Sequence, residues 1–219
     1  MNMAIIGING KMGRQLYYHY KDKFNIYGVD SYNFEGVLTY KHLKEITDKI
    51  DVVVDFSSTK AIEELKWALG KKILTLSGTT GYDDKTIDEL SSLGGKYFYW
   101  TCNYAKGINL FSKLISIIKK EYELFDFIEI HASTKKDAPS GTAKMLAKRL
   151  GVSNDTIQSL RLHYAPPIHE IIFSSKNEQI TLRHEVTNSN AFIDGFDEKL
   201  SWLMTVSYTH LRAHETLRH

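Results

Sequence analysis

The sequence predicts an α/β protein: a doubly wound parallel sheet in the N-terminal half, then a second domain of the α+β kind. Three observations carry this. Short apolar runs alternate with amphipathic stretches through residues 1–101, the pattern of strands joined by crossover helices. A glycine-rich turn, residues 7–13, follows the first apolar run and precedes an acid at the end of the second. Beyond Thr101 the pattern changes to a long amphipathic helix and sheet-forming segments with longer connections.

Taken in order, residues 1–6 form the first strand, 7–13 the turn, and 14–20 a helix with Leu16 and Tyr20 on one face. Residues 26–30 form a second strand that ends in Asp30, and 43–50 a weak helix. Residues 52–57, Val-Val-Val-Asp-Phe-Ser, are a nearly continuous apolar run of the kind buried in a parallel sheet. An amphipathic helix over 59–69 leads to a fourth strand, 73–77, and to Gly78-Thr79-Thr80-Gly81. A helix over 85–92 and a strand over 97–101 complete the first part. After a connection over 103–109, a helix over 110–122 has Leu110, Leu114, Ile117 and Ile118 on one side. A strand over 127–131, a helix over 142–150 and strands over 158–162, 170–174 and 180–185 follow. There is no internal repeat and no low-complexity segment.

Composition narrows the function. The 219 residues are 42% hydrophobic and 25% charged, as in soluble globular proteins. Lys and Arg total 28 against 26 acidic residues, too balanced for a nucleic-acid binder, and no basic stripe with interleaved aromatics occurs. One cysteine, Cys102, excludes an intramolecular disulfide framework and cysteine-rich zinc sites. No stretch approaches a membrane span, and the N-terminus runs straight into a strand pattern without a signal segment. The expectation is a cytoplasmic protein with no nucleic-acid or membrane partner and no metal.

The turn reads Gly7-Ile-Asn9-Gly10-Lys11-Met12-Gly13, a Gly-x-x-Gly-x-x-Gly spacing instead of the commoner Gly-x-Gly-x-x-Gly. It follows a strand and opens a helix, where backbone N–H groups and the helix dipole favour an anion such as a diphosphate. Asp30 lies 23 residues after Gly7, near the offset of an acid that binds the adenosine ribose; the alternative is a turn residue. Ligands of such sheets bind beyond the carboxyl ends of the strands, which brings Ser57, Gly78, Thr79, Thr80 and Asn103 toward one crevice. Asp30, with Ser31 and no Arg beside it, predicts that NADH is used at least as well as NADPH; Lys11 and Arg14 leave dual use open.

Residues 131–143 hold the densest chemistry: His131-Ala-Ser-Thr-Lys135-Lys-Asp137-Ala-Pro139-Ser140-Gly141-Thr142-Ala143. His131 stands at a strand end and exchanges protons near neutral pH. Lys135 is a flexible point charge suited to a carboxylate. Ser140, Gly141 and Thr142 open a helix and offer hydroxyls and free N–H groups to an anion; an ordinary N-cap is an equally good reading of these three.

The chain resembles the dihydrodipicolinate reductase (4-hydroxy-tetrahydrodipicolinate reductase) family over roughly residues 3–204. The likeness rests on Gly7-x-x-Gly10-x-Met12-Gly13-Arg14, Val54-Asp55-Phe56-Ser57, Gly78-Thr79-Thr80-Gly81, and Asn103-Tyr104-x-x-Gly107-x-Asn109. Its most specific part is Glu129-x-His131-x-x-x-Lys135-x-Asp137-x-Pro139-Ser140-Gly141-Thr142-Ala143. The resemblance implies a Rossmann-type nucleotide domain and a substrate domain, and the NAD(P)H-dependent reduction of a small dicarboxylate in lysine and diaminopimelate biosynthesis. It implies that the glycine loop, Asp30, Ser57, Gly78, Thr79, Thr80, Asn103 and Tyr104 hold NADH or NADPH. It further implies His131 as proton donor, Lys135 as substrate-binding cation, Ser140, Gly141 and Thr142 as carboxylate cradle, and a homotetramer built through the second sheet. The domains then span 1–103 with a return segment at about 193–206, and 104–192.

The chain departs from the family at Ala132, where a second His is usual, and at Asp126-Phe127. It departs again over 161–169, which lacks the expected glycines and carries Pro166-Pro167. Residues 207–219 resemble translated sequencing-adapter read-through and are set apart as a non-native tail. Two other classes remain. One is another Rossmann oxidoreductase, such as a sugar or semialdehyde dehydrogenase; the acylating semialdehyde type needs a nucleophilic cysteine, for which Cys102 is the sole candidate. A non-catalytic nucleotide-sensing module needs none of the proton chemistry.

Overall fold

The computed structural model describes residues 1–215, and the side-chain surroundings of residues 1–206. The chain divides into two units: Met1–Thr101 together with the segment from Phe196 onward, and Cys102–Gly195.

The first unit is a doubly wound parallel sheet. Its strands are β1 (Asn2–Ile6), β2 (Asn25–Val29), β3 (Thr39–Tyr40), β4 (Val52–Asp55), β5 (Leu74–Ser77) and β6 (Phe98–Trp100), in the order β3-β2-β1-β4-β5-β6. The helices are α1 (Lys11–Tyr20), α2 (Ile62–Gly70) and α3 (Asp84–Gly94). β4 and β5 are buried at every position because helices cover both faces, which explains why their sequences do not alternate. Val53, Leu65, Ala68 and Leu90 form the centre of one face's core.

Two expectations are corrected here, and one strand was not anticipated. Helix α1 begins at Lys11 instead of residue 14, since Gly10 already holds the extended N-cap conformation and its carbonyl accepts from Arg14 N–H at 2.9 Å. The helix expected over 43–50 is a single 3-10 turn, Leu43–Glu45. Leu43, Ile46 and Ile50 are all buried, so their helix-like spacing reflects three core anchors on an irregular segment. Glu64 fixes that segment by accepting from Leu43 N–H at 2.8 Å. The two-residue edge strand β3 was too short to be signalled by any pattern.

The second unit has a four-stranded mixed sheet of β7 (Leu124–Ala132), β8 (Ile157–Leu162), β9 (Ile168–Ser174) and β10 (Gln179–Glu185), ordered β10-β9-β7-β8. β7 runs parallel to β8 and antiparallel to β9. Helices α4 (Lys106–Ile118) and α5 (Gly141–Leu150) supply the other side of a core that includes Ile108, Phe111, Ile115, Phe127, Leu146 and Phe173. Helix α4 starts four residues earlier than expected, because Asn103 Oδ1 accepts from Ala105 N–H at 2.9 Å and closes the entering turn. It also buries a different face. Ile108, Phe111 and Ile115 point inward, whereas Leu110, Leu114 and Ile117 are exposed. The helix carries two apolar stripes, and only the sheet beneath it selects one.

The long helix α6 (Asn190–Glu215) returns the chain to the first unit. There Asp197 accepts from Tyr20 and lies 2.9 Å from His19 Nε2, while Phe196 packs near Tyr20 and Phe56. The backbone is helical through residues 207–215. The side chains of that stretch and all of residues 216–219 lie outside the described residues, and with them the reading of 207–219 as a foreign tail.

Candidate active site

In the first unit the site forms where the strands end. Gly7 has φ +80°, and a Cβ there would come within 2.8 Å of the Phe56 carbonyl oxygen. A Cβ on Gly13 would lie 2.2 Å from the Gly7 carbonyl oxygen. The loop therefore closes only with glycine at both places, and it presents bare backbone at the N-terminus of α1. Gly10 caps that helix without a side chain, so the first N–H groups, on Lys11, Met12 and Gly13, have no side-chain cap. This cradle fits the diphosphate of a dinucleotide.

Asp30 anchors the loop from the side, accepting from Asn9 N–H at 3.1 Å and Tyr32 N–H at 3.4 Å. Gly7, Asp30 and Ser57 line one pocket of about 300 Å³. Behind it the fully buried Asp55 accepts from Ser57 N–H at 3.1 Å and from Ser77 Oγ at 2.7 Å, which locks the ends of β4 and β5 together. Thr79 is buried; its hydroxyl accepts from Ser57 N–H at 2.9 Å and its carbonyl from Trp100 Nε1 at 2.9 Å. Thr79 thus holds the framework, while Gly78 lies against the Phe56 ring and Thr80 is exposed. Asn103 and Tyr104, expected beside the cofactor, belong to the second unit and are buried there.

In the second unit strand alternation works against the usual rule. On β7 the residues facing the helices are Phe127, Glu129 and His131, while Ile128 and Ile130 face the other way and are only half-buried. Glu129 is fully buried. Its carboxylate accepts from Ser140 N–H at 3.1 Å, Ser159 Oγ at 2.8 Å and Arg161 Nη2 at 2.8 Å. It faces His131 Nε2 at 3.5 Å, an ion-pair distance on protonation and too long for a formed hydrogen bond. Burial alone would raise the Glu129 pKa, but the contacts from His131, Ser140, Arg161 and Ser159 outweigh it and hold the carboxyl well below the usual range.

Arg161 also donates to the Asp137 carbonyl, and the Asp137 carboxylate pairs with Lys135 Nζ at 2.7 Å. Ser140 caps α5 by accepting from Ala143 N–H at 3.1 Å. The N-cap reading therefore describes Ser140 itself, and both its N–H and its hydroxyl are engaged. Gly141 and Thr142, in the first helical turn, keep N–H groups without intrahelical partners. Asn103 Nδ2 donates to Thr142 Oγ1 at 3.0 Å, so Asn103 orients the cradle.

Sequence reasoning left Arg161, His169 and His184 out of the site, and Glu129 without a role. His131, His169 and His184 stand on β7, β9 and β10, with His169 opposite both Glu129 and His184 in the register. Polar residues at inward-facing strand positions were the available signal. Glu129, His131 and His169 also bring one ligand-capable atom each within 4.8 Å of one another. Arg161 pairs with one oxygen of that carboxylate, Oε1, at 2.8 Å. Cys102 carries no activated thiolate, because burial pushes its thiol pKa up.

Burial, and then the neighbouring His131, push the His169 pKa down from 6.5 to about 3. An unfolded chain takes up this proton near 6.5, and the folded chain only near 3. Its stability contribution is complete above the unfolded value and erodes as pH falls between the two, by about 1.4 kcal/mol per pH unit for one proton. The depressed Glu129 adds a further loss once pH falls through its unfolded value of 4.5. Denaturant titrations over this range are expected to show falling stability, with a shallower slope in His169→Asn. Equal slopes would take His169 out of the account.

The profile described as "Dihydrodipicolinate reductase, N-terminus" matches residues 1–104, and "Dihydrodipicolinate reductase, C-terminus" matches residues 107–214. The 4-hydroxy-tetrahydrodipicolinate reductases of Rickettsia canadensis and Rickettsia bellii are 32% and 33% identical to this chain. Each alignment covers 93% of the chain, and 92% and 89% of the respective relative. The dipicolinate-bound dihydrodipicolinate reductase from Paenisporosarcina sp. TG-14 has the same fold, with a TM-score of 0.78 at 24% identity over 94% of this chain and 95% of that one. No helix among the described residues is long and apolar enough to cross a membrane. With matched profiles over nearly its whole length and relatives above 30% identity along it, the chain belongs to the dihydrodipicolinate reductase family.

Proposed function

We propose that this protein catalyses the NAD(P)H-dependent reduction of 4-hydroxy-tetrahydrodipicolinate, which loses its 4-hydroxyl as water to give dihydrodipicolinate, to tetrahydrodipicolinate in lysine and diaminopimelate biosynthesis. The observation that carries the reading is the buried Glu129, which joins the His131 proton donor to the Ser140 end of the anion cradle. A bound reduced nicotinamide supplies the hydride. The remaining work falls to side chains. His131, whose Nε2 has no hydrogen-bond partner among the described residues, delivers the proton that completes reduction of the conjugated C=N/C=C system. Lys135 and the N–H groups of Gly141 and Thr142 hold a substrate carboxylate, so that binding energy orients the reacting carbon.

In this reading the first unit is the dinucleotide-binding domain, and Gly7, Asn9, Gly10, Lys11, Met12, Gly13, Asp30 and Ser57 form its cofactor site. The second unit binds substrate and assembles the protein. Its outward sheet face, with Ile128, Ile130, Leu160 and Leu162 partly or largely exposed, supports a homotetramer built through that sheet. Light scattering of the full chain reads the mass, and a monomer at working concentration would remove the assembly.

The direct assay is oxidation of NADH or NADPH by the purified chain with freshly generated substrate. Absence of turnover in a folded protein that binds dinucleotide would favour the nucleotide-sensing class. Lys135→Ala is expected to raise KM and to lower kcat/KM roughly tenfold to a hundredfold, since it removes a charge-assisted contact worth ~1.5–3 kcal/mol. An unchanged KM would take Lys135 out of substrate binding.

A further inference from the structure

We propose that Glu129, His131 and His169 form a site for one first-row divalent cation of the zinc type, and that filling it switches off the proton donor. The site stands on its own geometry, and its inhibitory role rests on the function proposed above. No local spacing announces it, because the ligands come from two strands. Glu129 and His131 lie two residues apart on β7, so both face the same side of the sheet. The antiparallel register sets His169 of β9 opposite Glu129, which brings its ring to that side as well. All three residues are buried, and one ligand atom from each lies within 4.8 Å of the others. Glu129 Oε2 and His131 Nε2 are 3.5 Å apart. Two ligands held about 2.0–2.1 Å from one ion in a tetrahedron are separated by roughly 3.3 Å, so this edge is close to formed.

Each donor keeps a lone pair for an ion. Among the described residues, His131 Nε2 and His169 Nδ1 are buried without a hydrogen-bond partner. His169 Nε2 lies 3.3 Å from Ser140 Oγ, an outer contact of the kind that orients ligating histidines. On Glu129 the neighbours crowd Oε1, which accepts from Ser159 Oγ and Arg161 Nη2, both at 2.8 Å. Ser140 N–H spans the two oxygens at 3.1 Å, and Oε2 accepts from no other donor among the described residues. Two imidazoles and one carboxylate suit Zn2+ and its first-row neighbours, whereas Mg2+ and Ca2+ take oxygen shells. Three protein ligands leave a fourth position for water or an anion. Arg161 at the other carboxylate oxygen opposes a dication, so the ion is held reversibly and is no structural part of the fold. His131 keeps 8% of its surface exposed at the strand end, and the path that brings substrate to it serves the ion as well. Once bound, the ion occupies the nitrogen that would carry the proton.

Co2+ and Zn2+ titrations of the metal-free full chain test the site without any turnover. Three of the nine histidines lie in residues 207–219, so the parent protein for the titration carries His210→Gln/His214→Gln/His219→Gln. Co2+ should give the intense visible band of four-coordinate cobalt, saturating at one ion per chain, and Zn2+ should displace it. The Zn2+ Kd should be on the order of 1 μM, weaker than that of a structural zinc site. His169→Asn and His131→Gln, each checked for folding by circular dichroism, should weaken Zn2+ binding more than about 100-fold, since losing an outer partner of a ligand alone costs about 10–100-fold. Reductase turnover should fall in step with Zn2+ occupancy and return on adding EDTA. Absence of the four-coordinate band in the parent, or an affinity unmoved in both folded variants, overturns the site. Occupancy without loss of turnover overturns the switch. The band and its loss in the variants, in a chain without reductase turnover, support the site while sinking the proposed activity.

Discussion

His131→Gln is expected to lower turnover by roughly 10²–10⁴-fold, the range for losing a general acid, with little change in dinucleotide affinity. The residue sits where β7 meets the loop that leads to the anion cradle, on the helix-covered face and 8% exposed. Its ring stacks edge-on to His169, with centroids 5.5 Å apart, and it looks toward Glu129. A glutamine keeps the approximate volume and a hydrogen-bonding end but cannot give up a proton near neutral pH. The loss should therefore fall on kcat, and it should persist at saturating substrate. Steady-state kinetics beside a fluorescence titration of NADH separate the two steps. Near-normal kcat would take His131 out of the mechanism, and an equal loss of NADH affinity would make it a residue of general structural importance.

Removing one partner of the buried Glu129–Arg161 pair should destabilise the second unit by about 3–5 kcal/mol, because it leaves an uncompensated charge in the interior. Glu129 is fully buried and Arg161 largely so. Glu129→Ala also removes the acceptor of Ser140 N–H and of Ser159 Oγ, while Arg161→Met leaves the carboxylate with neutral donors alone. The double variant Glu129→Ala/Arg161→Met should cost less than the sum of the two single changes, since neither charge is then stranded. Chemical denaturation of the four proteins completes the cycle. Single variants within about 0.5 kcal/mol of the parent, the size of an ordinary surface change, would mean that water reaches the pair.

Much of the fold follows from local pattern. The continuous apolar run at 52–54 can only be a strand covered on both faces, and β4 is that strand. Gly7 and Gly13 mark a turn too tight for side chains, and the loop closes on the Phe56 and Gly7 carbonyls accordingly. Where pattern misled, a longer-range contact had decided. Leu43, Ile46 and Ile50 keep a helical spacing, yet Glu64 holds the start of the segment by its backbone and the three side chains reach the core from one short turn and a loop. In α4 both apolar stripes satisfy helical periodicity, so the sequence could not say that Phe111, and not Leu110, would face the sheet.

The site divides in the same way. Residues 131–143 were legible because proton donor, cation and cradle lie on one continuous stretch of chain. Arg161 and His169 were not. They come from β8 and β9, and they meet Glu129 only through the register that sets Glu129 opposite Ser159 and His169. By itself the sequence determined the alternating order of elements, the glycine turn, and the order of the groups along the 131–143 loop, since each depends on neighbours a few residues away. Tertiary structure alone decided which polar residues of β7 turn inward and which apolar stripe is covered. Those outcomes depend on the side chains that distant segments bring to the same place, and no local periodicity encodes them.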